Sequence, residues 1–241
     1  MRRDLEISAR MQALAQMVTP GHVVCDVGCD HGYLSIYLVQ KKISPKVIAM
    51  DVRSGPLSAC REHVEKYGLE QYITMRLSDG LTALLPDEAD AVVCAGMGGR
   101  LMQKILTEGR DKAAELKELI LQPQSELMEF RRFLREQGYT VIEENMIEEE
   151  GKFYPMMKAV PQRVEAADRV QAGSEDSVCD RFGALLLTSA HPVLYRFLKQ
   201  REALLQTIRG SILSSAQTDT GTRLKDIDQE LTDIHTAYKY Y

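Results

Sequence analysis

Carboxylates and glycines recur just after short apolar runs in the N-terminal half of the chain, and their order defines a chemistry. Asp26-Val27-Gly28-Cys29-Asp30-His31-Gly32-Tyr33 follows one such run, where an open α/β sheet turns from its first strand into its first helix. Glycine at such a turn lets backbone approach a ligand closely. A dinucleotide fingerprint requires glycine at 28, 30 and 33, yet Asp30 and Tyr33 hold two of those places. A pyrophosphate would meet a carboxylate there, whereas a cationic sulfonium and ammonium would be attracted by Asp26 and Asp30. The ligand implied is S-adenosylmethionine rather than a nicotinamide dinucleotide.

Asp51 ends the second apolar run about 20 residues beyond Gly28, where an acidic side chain commonly accepts hydrogen bonds from ribose hydroxyls. Ser78-Asp79-Gly80 ends the third and places a carboxylate where an adenine amino group could donate to it. Any one of these acids could simply cap a helix; their shared position at successive strand ends lifts the set above that reading. Ala95-Gly96-Met97-Gly98-Gly99 follows the fourth run and leaves room for a cofactor methyl group and an incoming base, although a tight turn would explain two of its glycines. Gln122-Pro123-Gln124 follows the fifth and supplies amides that could read a base edge or cap the next helix. His31 could serve as a base, but a lone histidine there more often orders the turn. Tyr33 packs at the start of its helix, with base stacking as the minor alternative.

The elements that must position these residues alternate. Ile7, Met11, Leu14 and Val18 recur at helical spacing, and Thr19-Pro20-Gly21 ends that helix. Strands are expected at Val23–Val27, Lys46–Val52, Tyr72–Leu77, Ala91–Ala95, Leu119–Gln122, Thr140–Met146 and Phe153–Val160. Helices are expected at Tyr33–Gln40, Ser54–Tyr67, a short acidic stretch near Asp87, Gly99–Leu106 and Glu126–Gln137. Such alternation predicts a parallel sheet covered on both faces, because each crossover needs a helix. The last two strands, joined by an acidic turn around Glu148 to Gly151, should form an antiparallel hairpin at the sheet edge. The fold class is α/β: a Rossmann-like class I methyltransferase core with a seven-stranded, mostly parallel sheet.

Beyond Val160 the texture changes through a polar linker containing Gly173-Ser174-Glu175-Asp176. Leu194, Leu198, Leu205, Ile208 and Ile212 then keep a four-three spacing, with Arg201 at the missing seam position; Leu224, Ile227, Leu231, Ile234 and Tyr238 mirror it beyond a loop at Ser214 to Gly221. Residues 1–160 are read as the catalytic domain and 161–241 as a helical coiled-coil hairpin.

A chain of 241 residues with 44% hydrophobic and 27% charged residues suits a globular protein of this size, and no apolar run is long enough to span a membrane. No signal peptide is legible, so a cytoplasmic location is expected. The 5 cysteines lack metal-ligand spacing, so no metal site is expected, and Cys25 and Cys94 read as small hydrophobes within strands. Cys29 is the exception left open. The net charge of -5 offers no general basic footprint. An RNA substrate would require local cations: Arg2, Arg3 and Arg10, then Arg53, Arg100 and Lys104, and later Arg196, Lys199 and Arg201.

The motifs at 26–33, 78–80, 95–99 and 121–123 together resemble those of the bacterial TrmK family, which methylates N1 of adenine 22 in tRNA. The similarity runs to about Val160 and extends to the helical appendage. It implies S-adenosylmethionine as cofactor and tRNA as partner, with no membrane and no obligate protein partner. Cofactor contacts are implied at Gly28, Asp30, His31, Gly32, Asp51, Asp79, Gly80, Gly96 and Met97. Their neighbours Asp26, Cys29, Val52 and Gly98 complete the candidate cofactor set. Tyr33, Gln122, Pro123, Arg10 and Arg100 are the candidate substrate contacts, and Asp30 is the catalytic candidate, through stabilisation of the cationic product. Ser35 and Gln124 stand where relatives tend to carry Pro and Asn. A small-molecule methyltransferase of the same fold and a catalytically silent RNA-binding protein are the competing readings.

Overall fold

The computed structural model describes residues 4–161, 177–214 and 221–241. The chain divides into two compact units, Met1–Val170 and Gln171–Tyr241.

In the first unit α1 (Ala9–Met17) starts at Ser8, whose hydroxyl accepts the Met11 N–H as an N-cap. Then follow β1 (Val24–Val27), α2 (Tyr33–Gln40), β2 (Val47–Asp51), α3 (Ser54–Tyr67), β3 (Ile73–Leu77), β4 (Ala91–Met97), α4 (Gly99–Glu108), α5 (Arg110–Glu115), β5 (Glu118–Pro123), α6 (Leu127–Glu136), β6 (Tyr139–Glu149) and β7 (Lys152–Pro161). The sheet order is β3-β2-β1-β4-β5-β7-β6. The first five strands are parallel, and β7 runs antiparallel between β5 and β6.

Strand alternation sorts the apolar runs into two cores. Val24, Val47, Ala49, Val93 and Ile120 face one layer with Leu14, Ile36 and Val64. Cys25, Met50, Val92, Cys94 and Leu121 face the other with Met102, Leu106, Phe130 and Leu134. Covering both faces explains why these strands read as continuous apolar runs. It also bears out Cys25 and Cys94 as packing groups, both fully buried.

The hairpin turn is tighter than the acidic stretch suggested: Glu150 (φ 51°) and Gly151 (φ 73°) both lie in the left-handed region, the geometry of a two-residue turn matched to strand twist.

The helix expected near Asp87 does not form. Pro86 interrupts that segment, Asp87 adopts φ 55°, and Glu88 turns back to pair with Arg76 on β3 at 2.6 Å. Beyond α4 the chain forms a further helix, α5, which the sequence pattern did not separate.

In the second unit α7 (Ser177–Phe182) and α8 (Ala184–Thr188) precede α9 (Pro192–Ser214) and α10 (Gly221–Ala237). The expected polar linker at 173–176 and most of the loop between α9 and α10 lie outside the described residues. Leu194, Leu198 and Leu205 of α9 and Ile227 and Ile234 of α10 are buried, as their spacing predicts. Arg201, at the polar seam position, makes a two-pronged pair with Glu230 at 2.6 and 2.9 Å.

Candidate active site

A cavity of about 560 Å³ opens at the carboxyl ends of β1 to β4, where the strand order reverses direction at β1 and β4. That is the crevice in which open α/β sheets hold ligands.

Asp26 on β1 is buried, and its Oδ2 accepts the Ser35 hydroxyl at 2.6 Å. Burial pushes its carboxyl up to about 6, against the pull of Ser35, with repulsion from Asp51 adding to the rise. Gly28 and Cys29 donate their N–H groups to the Met50 carbonyl at 2.8 and 2.9 Å, which folds the loop back over β2. Gly28 adopts φ 76°, a left-handed conformation in which any other side chain would be strained, and its open side faces the Met97 methyl. Asp51 at the end of β2 accepts the Arg53 N–H on Oδ1 at 2.9 Å and the Asp30 N–H on Oδ2 at 3.4 Å. Each oxygen keeps a lone pair for a further donor.

Asp30 adopts φ 49°, and its side chain is 65% exposed, beside His31 Nε2 at 3.7 Å. His31, Tyr33 and His63 form an aromatic cluster, with Tyr33 stacked on His63 at 4.8 Å between centroids. His63 Nδ1 donates to the His31 carbonyl at 2.9 Å. His63 lies on α3, far along the chain, and nothing local in the sequence marked it. Asp79 projects from the β3 end and sits 3.6 Å from Lys104 of α4.

The glycines of the fourth loop divide as a tight turn would require. Gly98 and Gly99 pack against Ser125, with a Cβ on Gly99 falling 2.5 Å from the Ser125 carbonyl oxygen. Gly96 (φ 77°) faces the cavity instead, with Arg10 and Gln124 as the nearest side chains to its open side.

Most of the predicted cofactor set meets here: Asp26, Gly28, Cys29, Asp30 and His31 from the first loop, Asp51 and Val52 from the second, then Asp79, Gly80, Gly96 and Met97. Tyr33 and Arg10 join them from the substrate set. Gly32 and Gly98 stay behind the wall: Gly32 backs onto Cys60, where a Cβ would lie 2.3 Å from the sulfur. Gln122 and Pro123 are buried in β5, and the exposed Gln124 lines the cavity in their place. The strand's end accounts for the exchange: β5 is buried along its whole length and stops at Pro123, so Gln124 is the first residue to emerge at the crevice. Arg100 points away, 87% exposed and 3.6 Å from Glu126. Cys29 is hydrogen-bonded to Cys60 and buried, both of which raise its thiol and keep it protonated, so it is no nucleophile.

The cations foreseen for RNA are distributed unevenly. Arg53 stands beside Asp51 at 3.7 Å, Lys104 bridges Asp79 and Glu108, and Arg201 is committed to Glu230. Lys199 lies over the rings of Tyr195 and Tyr238 at 5.4 and 4.6 Å. Arg2 and Arg3 lie outside the described residues. Among those residues no cluster of potential metal ligands forms and no helix is long and apolar enough to cross a membrane.

The residues present fit S-adenosylmethionine: left-handed glycine backbone at Gly28, Gly80 and Gly96 along the cavity, a ribose-ready Asp51, and buried Asp26 facing a cationic ligand. Fold and site together define a Rossmann-like methyltransferase that takes its methyl group from that cofactor. The methyltransferase domain family matches residues 7–157. The tRNA (adenine(22)-N(1))-methyltransferase of Bacillus subtilis is 34% identical over 227 residues, 93% of either chain. The crystal structure of the B. subtilis M1A22 tRNA methyltransferase TrmK superposes with TM-score 0.82 at 32% identity, covering 97% of this chain and 99% of that one. A Streptococcus pneumoniae protein solved in complex with S-adenosyl-L-methionine does so with TM-score 0.82 at 29% identity, covering 96% and 99%. The chain belongs to the tRNA (adenine(22)-N1)-methyltransferase family.

Proposed function

We propose that the protein methylates N1 of adenine 22 in tRNA. The observation that carries the reading is the division of the cavity in a chain of this family: carboxylates on β1, β2 and β3 along one side, and the open backbone of Gly96 with Gln124 on the other.

S-adenosylmethionine, when bound, supplies an electrophilic methyl group on a positively charged sulfur. Asp51 orients the ribose through its free lone pairs, and Asp79 accepts from the adenine amino group. Adenine N1 of the substrate already holds its lone pair in the ring plane, so no side chain has to remove a proton first. Placement of the nucleophile then dominates the rate, a contribution that can reach about 7–11 kcal/mol in well-oriented reactions. The methylated base is a cation, and Asp30, held in the left-handed conformation at the cavity mouth, stabilises it. Because N1 lies on the pairing edge, the base must leave its stack, and Tyr33 backed by His63 offers it a ring to stack on.

The test is incubation with labelled S-adenosylmethionine and unmodified tRNA, followed by mapping of the methyl group. Label at N1 of adenine 22 is expected. Label at another nucleotide, or on a small metabolite with none on tRNA, overturns the reading.

A further inference from the structure

An adenine that reacts at N1 has to be recognised without its nucleophile being covered. The N1 lone pair must stay free, so no protein donor can occupy it. What still identifies the base is the edge that carries N6 and N7, where a donor and an acceptor stand side by side. The complement of that edge is a planar amide, whose oxygen accepts from the N6 amino group while its NH2 donates to N7.

Among the described residues Gln124 is the one carboxamide that lines the cavity. The carboxylates around it can only accept and the arginines can only donate, while a hydroxyl or an imidazole cannot present a donor and an acceptor side by side.

The amide projects from a braced turn. Just past the end of β5, the Gln124 N–H donates to the Met97 carbonyl at 2.8 Å, and Ser125 Oγ accepts the Gly99 N–H at 3.3 Å. Both contacts tie the turn to the loop after β4. The side chain reaches the open side of Gly96, where a Cβ would lie 3.9 Å from Gln124 Nε2. Neither end of this amide is hydrogen-bonded to another described residue. Gln122 shows the contrast, being fully buried with its Oε1 taken by Arg10 at 3.0 Å.

We infer that Gln124 selects adenine by reading N6 and N7 together, which leaves N1 open to the methyl donor. The inference rests on the proposed adenine methylation and adds to it the residue that identifies the base. As the N1–methyl bond forms and the methyl–sulfur bond breaks, its electron pair goes to sulfur and positive charge spreads over N1, C6 and N6. The N6 hydrogen thereby becomes a stronger donor. The Gln124 oxygen holds the transition state more tightly than the substrate, so its loss is felt in kcat as well as in KM.

Steady-state methylation of two tRNAs that differ only at position 22, one with adenosine and one with 7-deazaadenosine, tests the inference. Both bases keep N1 and N6, and the second replaces the N7 acceptor with a C–H. The measured quantity is the ratio of kcat/KM for adenosine to that for 7-deazaadenosine. It should be about tenfold lower in Gln124→Leu than in the wild type, as expected for loss of a bidentate amide contact. Comparing the two proteins cancels the intrinsic reactivity difference between the bases. Gln124→Glu, which keeps an acceptor for N6 but sets a carboxylate against N7, should lower the ratio further. Calorimetry should find S-adenosylhomocysteine affinity within about twofold of wild type in both variants, since the amide belongs to the base and not to the cofactor. An identical ratio in all three proteins overturns the inference even if the variants are slow, because a packing role does not distinguish N7 from C–H. No label at adenine 22 with the wild type would instead overturn the proposed function, so the two failures are distinct.

Discussion

The Ser35 hydroxyl, one turn into α2, donates to the buried Asp26 carboxylate of β1 at 2.6 Å. Strand and helix on either side of the cofactor loop are thereby joined by a single polar contact inside an apolar layer.

Because burial holds the Asp26 carboxyl at about 6, above its ordinary 3.8, the folded state binds a proton more tightly than the unfolded chain. The contribution of this group to stability is therefore fully present below the ordinary value and is lost as pH rises through about 6, by roughly 3 kcal/mol in all. Asp26→Asn should be more stable than wild type at pH 8, and the difference should vanish by pH 3. Urea denaturation at several pH values checks it; a constant difference would disprove the assignment.

The same carboxylate attracts a cationic ligand only when ionised. Affinity for S-adenosylmethionine should rise as pH increases through about 6 in the wild type and stay flatter in Asp26→Asn. Ser35→Ala removes the bond that favours the ionised form and should move the rise to higher pH. Calorimetry at fixed ionic strength measures each profile.

Asp30→Asn should lose most turnover while keeping its fold, since asparagine tolerates the left-handed backbone at this position. Single-turnover methylation at saturating cofactor is the measurement. A rate near that of the wild type would remove Asp30 from the chemistry.

Glycines that look alike in sequence should respond oppositely. Gly55→Ala in α3 meets nothing within 4 Å and should stabilise by about 0.5–1 kcal/mol, the ordinary helical advantage of alanine. Gly99→Ala would force a Cβ to 2.5 Å from the Ser125 carbonyl oxygen and should destabilise by about 1–3 kcal/mol. Thermal melts of the two variants compare them directly.

Glu118, buried at the opposite end of the sheet, accepts from Lys158 at 2.9 Å and from Thr19 at 2.6 Å. Burial alone would raise its carboxyl, but these bonds outweigh it and hold it below the usual range. Lys158→Met should cost about 3–5 kcal/mol at neutral pH, because it strands a buried charge. The penalty should shrink as pH falls and Glu118 takes up a proton, and denaturant titration across pH reads both effects.

Much of the molecule was legible before any coordinates. Acidic residues at consecutive strand ends, the broken dinucleotide fingerprint and the alternation of apolar runs with helical stretches were enough for the fold class and for most of the residues that line the cavity. These signals are local: strand periodicity, turn chemistry and the identity of the residue that ends a strand are written in adjacent positions. The helix expected near Asp87 failed for one local and one nonlocal reason, since Pro86 denies the backbone an N–H and Arg76 on β3 competes for Glu88.

Tertiary structure alone decided which side chains of a motif meet the cavity. Gln122 and Gln124 are chemically identical, yet the first is enclosed within β5 and the second stands just past its end, at the cavity. His63 reaches the Tyr33 ring only because α3 packs beside α2, and Arg10 reaches Gly96 only because α1 folds over the hairpin. Sequence specifies the residues that end each strand; long-range packing chooses the neighbours they acquire, because contacts between distant segments depend on the whole core and not on any one stretch of chain.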